Sequence, residues 1–291
     1  MIRFSEVLGN AQKLDGGSMF GNAPRTVWEK WAPADELGRI DLACRTLLVE
    51  IDNVRILFET GIGVFFEPKM AERFGVQTPD THQLLKSLEN LGHKESDIDW
   101  VILSHLHFDH AGGLLPTYKE IESGNNNLVF SKAQFVVGFD AFERAEHPHF
   151  RDRASFIPHL TEKLKASGRL HLIKEGQESP IFPDHIEFTF THGHTPGHMH
   201  SLITGSNSKI FFAGDLIPGT PWVHLPITMG YDRFPEKLID EKKHIYQRAL
   251  AEKWEIFYTH DPKVACSQIE QDAKGKFVPV NKISSPKKLV F

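Results

Sequence analysis

Cysteines, long apolar runs and a surplus of basic residues are rare or missing in this sequence. The two cysteines, Cys44 and Cys266, are far apart and show no disulfide framework. No apolar run approaches the ~18 residues of a membrane span, and Met1 to Glu6 lacks the apolar core of a signal peptide. The formal net charge of −5 offers no basic surface for nucleic acid or anionic lipid. These absences predict a cytoplasmic protein that binds neither nucleic acid nor membranes.

The composition is that of an ordinary globular protein. Hydrophobic residues make up 40% and charged residues 24% of a 291-residue chain, which is enough for a substantial core. No internal repeat or low-complexity segment interrupts it. We therefore expect a single domain over residues 1–291. The 22 phenylalanines indicate either a phenylalanine-rich core or an apolar substrate pocket.

Four potential metal ligands lie within six residues, in the pattern His-x-His-x-Asp-His. They follow Trp100 to Leu103, a short apolar run that predicts a buried strand, and they precede Gly112-Gly113, which predicts a turn. Imidazole and carboxylate groups suit zinc, manganese, iron or cobalt, and the lack of thiolate argues against a zinc-finger site. The alternative is a run of surface histidines with a capping aspartate. The four residues are His105, His107, Asp109 and His110.

The spacing of these residues suggests two metal positions. Residues two apart on an extended segment point the same way, so His105 and His107 can bind one ion together. Asp109 and His110 come after the chain turns and would face a second ion. Neither position is complete, so further ligands must come from other strand ends.

Three later apolar strands each run into a residue of the ligand type. Residues 188–190 lead into His192-Gly193-His194, residues 210–213 into Gly214-Asp215, and residues 256–259 into His260-Asp261. The carboxyl ends of strands are where open α/β sheets place their sites.

The remaining elements are predicted from local patterns. Residues 45–51 and 55–59 form a hairpin, and further strands lie at 97–103, 135–137, 170–173, 186–190, 200–204, 209–213 and 255–259. Helices lie at 81–91, 157–166 and 236–253, and an insertion rich in histidine and phenylalanine covers 139–160. Residues 1–40 are unassigned: they pack across the domain, wall the site or form a homodimer contact. The C-terminal tail, residues 271–291, is expected to be loosely held, with solvated lysines that include Lys287 and Lys288.

The ordered set of motifs resembles the metallo-β-lactamase superfamily. It consists of the His-x-His-x-Asp-His motif, Gly193-His194-Thr195-Pro196-Gly197-His198, Gly214-Asp215 and a strand ending in His260. The resemblance implies an α/β, four-layer αββα sandwich with a binuclear metal site at one edge. It implies that His105, His107 and His194 bind the first ion, that Asp109, His110 and His260 bind the second, and that Asp215 bridges them. Two divalent ions are implied as cofactors, zinc first, with manganese, iron or cobalt as alternatives.

Within the superfamily, the chain resembles the branch of quorum-quenching N-acyl-homoserine lactonases and methyl parathion hydrolase. The stretches Leu57 to Gly63, Ser104 to Leu114 and Thr259 to Pro262 carry this resemblance. Departures from the branch are Pro218, where the lactonases have a tyrosine, Glu59, where an aspartate is usual, and His192, where a proline is common. Residues predicted to support the ligands or to line the pocket are Glu59, His192, His198 and His224.

The implied chemistry is hydrolysis of a small-molecule substrate by a metal-bridging hydroxide. Asp109 is predicted to be catalytic, because a ligand carboxylate beside the nucleophilic water can accept or pass its proton. A lactone is the first choice of substrate. The alternatives are a thioester of the glyoxalase II kind and a phosphotriester, although no Lys/Arg cluster suggests a glutathione clamp. A di-iron redox or oxygen-sensing protein is the alternative from another class.

Overall fold

The computed structural model describes residues 2–286 and 289–290. Its strands are β1 (Ile2–Leu8), β2 (Gln12–Asp15), β3 (Arg39–Leu42), β4 (Arg45–Ile51), β5 (Val54–Phe58), β6 (Trp100–Leu103), β7 (Gln134–Gly138), β8 (Leu170–Ile173), β9 (Ile186–Thr191), β10 (His198–Thr204), β11 (Lys209–Phe212), β12 (Glu255–Phe257), β13 (Cys266–Gln271), β14 (Phe277–Ile283) and β15 (Leu289–Val290). Its helices are α1 (Gly16–Phe20), α2 (Arg25–Trp28), α3 (Pro68–Arg73), α4 (Gln83–Asn90), α5 (Phe108–Ala111), α6 (Tyr118–Glu122), α7 (Phe139–Glu146), α8 (Leu160–Ala166) and α9 (Pro235–Glu252). No helix within these residues has the length and apolar character that crossing a bilayer requires.

Most strands belong to two sheets that pack face to face. The first sheet has the order β15-β1-β4-β5-β6-β7-β8, and the second has the order β14-β13-β12-β11-β10-β9. Between them lies an apolar core in which the rings of Phe58 and Phe212 are 5.8 Å apart. The strands β2 and β3 form a separate small hairpin.

Helices cover the outer face of each sheet. On the first sheet, α4 buries Leu84 and Leu88, which lie one helical turn apart on the same face. On the second sheet, α9 begins with Pro235 at its first position, where no intrahelical donor is needed, and buries Leu238 and Ile245. The four layers are therefore helix, sheet, sheet and helix, which confirms the predicted αββα sandwich.

The predicted central elements are confirmed with small shifts in their ends. The hairpin β4–β5 turns through Asp52 and Asn53, which both have positive φ angles of 49° and 71°. The strand expected at 97–103 begins only at Trp100, because Glu95–Asp97 forms a 3₁₀ turn. The helix expected from 157 begins at Leu160.

Both end regions of the described chain contain strands that were not predicted. Residues 2–8 form β1, which pairs with β4 along its full length. The expectation of a loosely held tail is wrong for two segments: β14 pairs with β13 at the edge of the second sheet, and β15 pairs with β1 at the edge of the first. The sequence of these segments suggested a solvated tail, but backbone pairing with β13 and β1 fixes them at the sheet edges. Lys287 and Lys288 lie outside the described residues.

Candidate metal centre

The predicted metal ligands lie together at one edge of the two sheets. His105 and His107 follow β6, Asp109 and His110 lie on α5, and three more ligands follow β9, β11 and β12. The side chains divide into one group of His105, His107, His194 and Asp215 and another of Asp109, His110 and His260. Within each group, the potential ligand atoms lie within 4.8 Å of one another. The structure therefore brings together all seven residues, which the chain places up to 155 positions apart, from 105 to 260.

The first group has imidazole nitrogens facing one another. The Nδ1 atom of His107 lies 3.0 Å from Nε2 of His105 and 3.2 Å from Nε2 of His194. Two nitrogens bound tetrahedrally to one zinc ion would be about 3.3 Å apart. The spacing of these three nitrogens therefore fits a shared ion.

Asp215 lies between the two groups. Its Oδ2 atom is 3.3 Å from Nε2 of His194, whereas its Oδ1 atom is 3.2 Å from Nε2 of both His110 and His260. Asp109 completes the second group, with its carboxylate oxygens 3.7 Å from Nε2 of His110 and 3.6 Å from Nε2 of His260. One oxygen of Asp215 thus faces each group.

The hydrogen bonds behind the imidazoles determine where their protons lie. Nδ1 of His110 is 2.8 Å from Glu59, Nδ1 of His194 is 2.8 Å from Asp232, and Nδ1 of His260 is 2.7 Å from the carbonyl of Ala43. Each of these partners accepts a hydrogen bond, so Nδ1 carries the proton and Nε2 presents a lone pair to the centre. Lone pairs and carboxylate oxygens that converge in this way fit a divalent cation.

The electrostatics around Asp215 and the histidines of the second group also favour positive charge. Burial alone lowers the pKa of His110 and of His260, but Asp215 and the neighbouring carboxylates outweigh it and hold both pKa values well above the ordinary value. Burial raises the pKa of Asp215, but the surrounding imidazoles outweigh it and hold that pKa well below its usual range. Oδ1 of Asp215 is also buried without a hydrogen bond among the described residues.

Glu59 supports ligands of both groups. One oxygen accepts the hydrogen bond from His110, and the other accepts one from the hydroxyl of Ser104, which in turn lies 2.9 Å from Nδ1 of His105. The loop after β5 is held against the histidine motif, because Thr60 donates its backbone N–H to the carbonyl of His110 at 2.9 Å. A Cβ atom on Gly113 would lie 2.1 Å from the carbonyl oxygen of Thr60, so this approach requires glycine.

The other predicted supporting residues have different positions. His198 is buried behind the ligands, with its ring 4.8 Å from that of His105 and its Nε2 atom 3.4 Å from the backbone N–H of Asp215. His192 points away from the centre, because its Nδ1 atom accepts the backbone N–H of Gly197 at 3.1 Å. His224 lies beside Trp31 in a separate surface groove. Neither His192 nor His224 belongs to the described wall of the cavity that opens onto the centre.

Three residues that contact the centre or its cavity were not predicted. Asp232 holds His194, Gln12 donates a hydrogen bond to Asp109 at 2.8 Å, and Tyr231 lines the cavity. None of them belongs to a recognisable motif, because each lies on a segment that only the fold brings to the site.

A cavity of about 420 Å³ opens onto the centre. His107, Asp109, His194, Asp215 and His260 form part of its wall. Apolar side chains form much of the remainder, namely Leu14, Met19, Phe74, Phe108 and Met229. Part of the unassigned N-terminal region therefore walls the site. The cavity gives a small molecule access to the metal-binding cluster.

An αββα sandwich with a cluster of histidines and aspartates at one edge defines the class of metal-dependent hydrolases. The family model for the metallo-beta-lactamase superfamily matches residues 39–121 and 123–260. The chain therefore belongs to this superfamily, as the sequence predicted, and is a hydrolase with a metal-binding cluster.

Three individual proteins are similar to this chain in sequence or in structure. An N-acyl homoserine lactonase of Bacillus thuringiensis is 26% identical over 250 residues, which cover 80% of this chain and 84% of the relative. A probable metal-dependent hydrolase from Staphylococcus aureus superposes with a TM-score of 0.84 and 25% identity, covering 97% of this chain and 98% of that one. A dizinc quorum-quenching lactonase with bound product shares the fold at a TM-score of 0.72 and 22% identity, covering 100% and 96% of the two chains. The predicted resemblance to the lactonase branch is confirmed.

Proposed function

We propose that this enzyme binds two zinc ions and opens the ring of N-acyl-homoserine-lactone-like substrates. The observation that carries the proposal is the position of Asp215, whose two oxygens face two separate groups of ligand atoms. His105, His107 and His194 would bind the first ion, and Asp109, His110 and His260 the second, with Asp215 shared. Nitrogen and carboxylate donors without thiolate suit zinc, and a structural neighbour is described as a dizinc lactonase.

Two bound divalent ions would supply Lewis acidity and lower the pKa of a shared water toward ~7. The Asp109 carboxylate lies at the cavity wall, and Gln12 occupies its Oδ2 atom. Its Oδ1 atom makes no hydrogen bond within the described part of the chain, so it can accept the proton of the attacking water and return it to the alkoxide that leaves the opened ring. No serine or cysteine nucleophile is required.

The cavity favours a neutral substrate with an apolar chain. Two of the cations in its wall are already paired, Lys13 with Asp41 at 2.9 Å and Arg39 with Asp35 at 3.0 Å. Arg73, the third cation of the wall, has no ion pair among the described residues, so one uncompensated positive charge remains for the two carboxylates of a glutathione thioester. The apolar wall suits an acyl chain, and a lactonase relative supports the same substrate class. The lactonases have a tyrosine at the position of Pro218, which has no phenol. Tyr231 supplies a phenol to the cavity wall from another position.

The test is proton release at constant pH from purified, zinc-loaded protein. The substrates are homoserine lactones with short and long acyl chains, simple γ- and δ-lactones, S-lactoylglutathione and a phosphotriester. We expect fast opening of acyl-homoserine lactones, loss of turnover after metal removal and a loss of at least about 100-fold in Asp109→Ala.

Asp80→Ala is the matched control, because Asp80 is an exposed aspartate paired with Lys119 on the surface. This variant should retain full activity. Turnover of the thioester or the phosphotriester without any lactone opening would contradict the proposed substrate and keep the hydrolase assignment. Lactone opening that survives metal removal would contradict the proposed chemistry.

A further inference from the structure

The second ligand group has one member that is not held by a carboxylate or by a backbone carbonyl. His110 is held by Glu59 and His260 by the carbonyl of Ala43, each through Nδ1. Asp109 is more exposed than these histidines, at 12% of its side chain, and lies beside the open cavity. Within the described residues, the carboxylate of Asp109 accepts one hydrogen bond, from Gln12.

The Gln12 side chain is placed to fix the rotation of that carboxylate. It is 1% exposed, and its Nε2 atom donates to Oδ2 of Asp109 at 2.8 Å. Its Oε1 atom is buried without a partner among the described residues. An ionised carboxylate accepts hydrogen bonds and donates none, so the amide must keep its N–H group toward Asp109 even though its oxygen stays unpaired. The arrangement therefore fixes the carboxylate of Asp109 and leaves the amide oxygen of Gln12 without a hydrogen bond.

The backbone on both sides of Gln12 is anchored. The side chain of Asn10 donates to the carbonyls of Gln77 and Thr81 at 3.0 and 2.9 Å, and Lys13 donates its N–H to Phe74 at 3.3 Å. Gln12 also pairs with Leu42 across the β2–β3 hairpin. Ala43, whose carbonyl holds His260, is the next residue after Leu42. One end of this hairpin therefore supports two of the three members of the second group.

Among the residues that the structure describes, the first group has no comparable link to the hairpin. His105 is held through Ser104 and Glu59, and His194 through Asp232. Asp232 belongs to the loop after the 3₁₀ helix Thr220–Val223, and its second oxygen accepts the N–H of Met229 at 2.6 Å. Apart from Glu59, which supports a ligand of each group, the supports of the two groups come from different parts of the chain.

We propose that Gln12 is a positioning residue for Asp109, through which the β2–β3 hairpin controls the affinity of the second metal ion without affecting the first. The inference rests on the proposed two-ion centre. It assigns a role to the N-terminal region that lies outside the metal-binding motifs. Replacing an outer partner of a metal ligand costs about 10- to 100-fold in affinity, and we expect this loss to fall on one of the two ions.

The test is competitive zinc titration of metal-free Gln12→Met against a chromophoric chelator, with the visible spectrum of the cobalt-substituted protein as a second readout. Methionine keeps the length of the side chain and removes the donor. We expect the weaker of the two binding steps to lose about 10- to 100-fold in affinity, with the tighter step unchanged. The cobalt spectrum should then saturate at one equivalent under conditions where the wild type takes up two.

Gln12→Glu is a second variant, because it keeps the shape and replaces the donor with a carboxylate that repels Asp109. Gln247→Met is the matched control, because Gln247 is exposed on α9, a helix that carries no member of either ligand group. The thermal transition of each metal-free variant shows whether it is folded.

The outcomes separate the two proposals. A wild-type protein that binds two ions, together with unchanged binding in both Gln12 variants, overturns the role of Gln12 and leaves the two-ion centre intact. Equal weakening of both binding steps also overturns it. A wild-type protein that binds a single ion overturns the two-ion centre itself.

Discussion

Glu59 combines an unusual backbone conformation with contacts to both ligand groups. Its φ angle is +64°, in the left-handed region that costs a residue with a Cβ atom about 1–2 kcal/mol. Strain of this kind persists where the surrounding structure fixes it, and it is concentrated at functional sites. Here the conformation turns the carboxylate back from the end of β5 toward His110 and Ser104. The strained backbone of Glu59 therefore lets one carboxylate support two ligands, His110 directly and His105 through Ser104.

Glu59→Gly is expected to be more stable than Glu59→Ala by about 1 kcal/mol, since both lose the carboxylate but only alanine keeps the strained Cβ. Urea denaturation of the metal-free variants measures the difference. At Glu50, the last residue but one of β4, the same pair should show the opposite order, with glycine less stable. Equal stability of the two variants at residue 59 would show that the backbone is not strained.

Lys242 is a fully buried amine on α9. It donates to the carbonyls of His224, Leu225 and Ile227 at 3.2, 3.3 and 3.0 Å. Burial lowers the pKa of Lys242 to about 7, and Asp232 only partly opposes this. The three hydrogen bonds of the amine fix the loop that leads to Tyr231 and Asp232.

The stability of the protein should depend on pH through Lys242. Its pKa in the unfolded chain is about 10.4, so between about pH 7 and pH 10 the unfolded state binds the extra proton. Raising the pH through this window therefore stabilises the folded state, by up to about 1.4 kcal/mol per unit from this group. The measurement is the free energy of unfolding of the wild type minus that of Lys242→Met across the window. Parallel pH profiles would contradict the prediction.

At the level of whole elements, the ligand-bearing strand ends could be predicted because their signals are local. A largely apolar or alternating run followed within three residues by histidine or aspartate is visible without any tertiary contact, and β6, β9, β11 and β12 all have this form. β1 could not be predicted in this way. Its Glu6 is buried, and its carboxylate accepts hydrogen bonds from Arg45 on β4 and from the hydroxyl of Ser285. A run that mixes polar and apolar residues in sequence thus forms the strand between β15 and β4.

The unpredicted site residues have the same explanation. Asp232 lies 38 positions from the histidine that it holds, and Gln12 lies 97 positions from Asp109. No spacing rule connects residues at such separations. The β13–β14 hairpin was missed because β14 is an edge strand with half-exposed side chains, and its pairing involves the backbone.

Removing residues 272–291 should destabilise the protein, contrary to what a solvated tail would do. The truncation removes the partner of β13 and the ring of Phe277, which packs 4.8 Å from that of Tyr246. We expect a loss on the order of 3 kcal/mol and faster aggregation through the exposed edge of β13. Chemical denaturation and light scattering measure the two effects. A truncation after Pro286 is the control and should have a smaller effect on stability.

For the whole molecule, the metal centre joins the two sheets. The ligands after β6 belong to the first sheet, whereas His194, Asp215 and His260 follow strands of the second. Bound ions would therefore crosslink two layers that otherwise meet through an apolar core.

Adding zinc to the metal-free protein should raise its melting temperature by several degrees. An ion at 100 times its dissociation constant stabilises the folded state by about 2.7 kcal/mol. The far-ultraviolet circular dichroism of the metal-free protein should remain that of the folded state, because the three apolar cores do not depend on the ligands. Calorimetry with and without chelator measures the shift. A melting temperature that is independent of zinc concentration would contradict the prediction.

The pairing of β1 with β15 brings the two ends of the polypeptide side by side, with Arg3 opposite Val290 and Phe4 opposite Leu289. A short linker could close the chain there, and a new start could be cut at the exposed turn at Asn207, between β10 and β11. In such a circular permutant, Asp215 and His260 would be synthesised before His105. The order of the ligands along the chain is therefore not essential, because their placement in space defines the site.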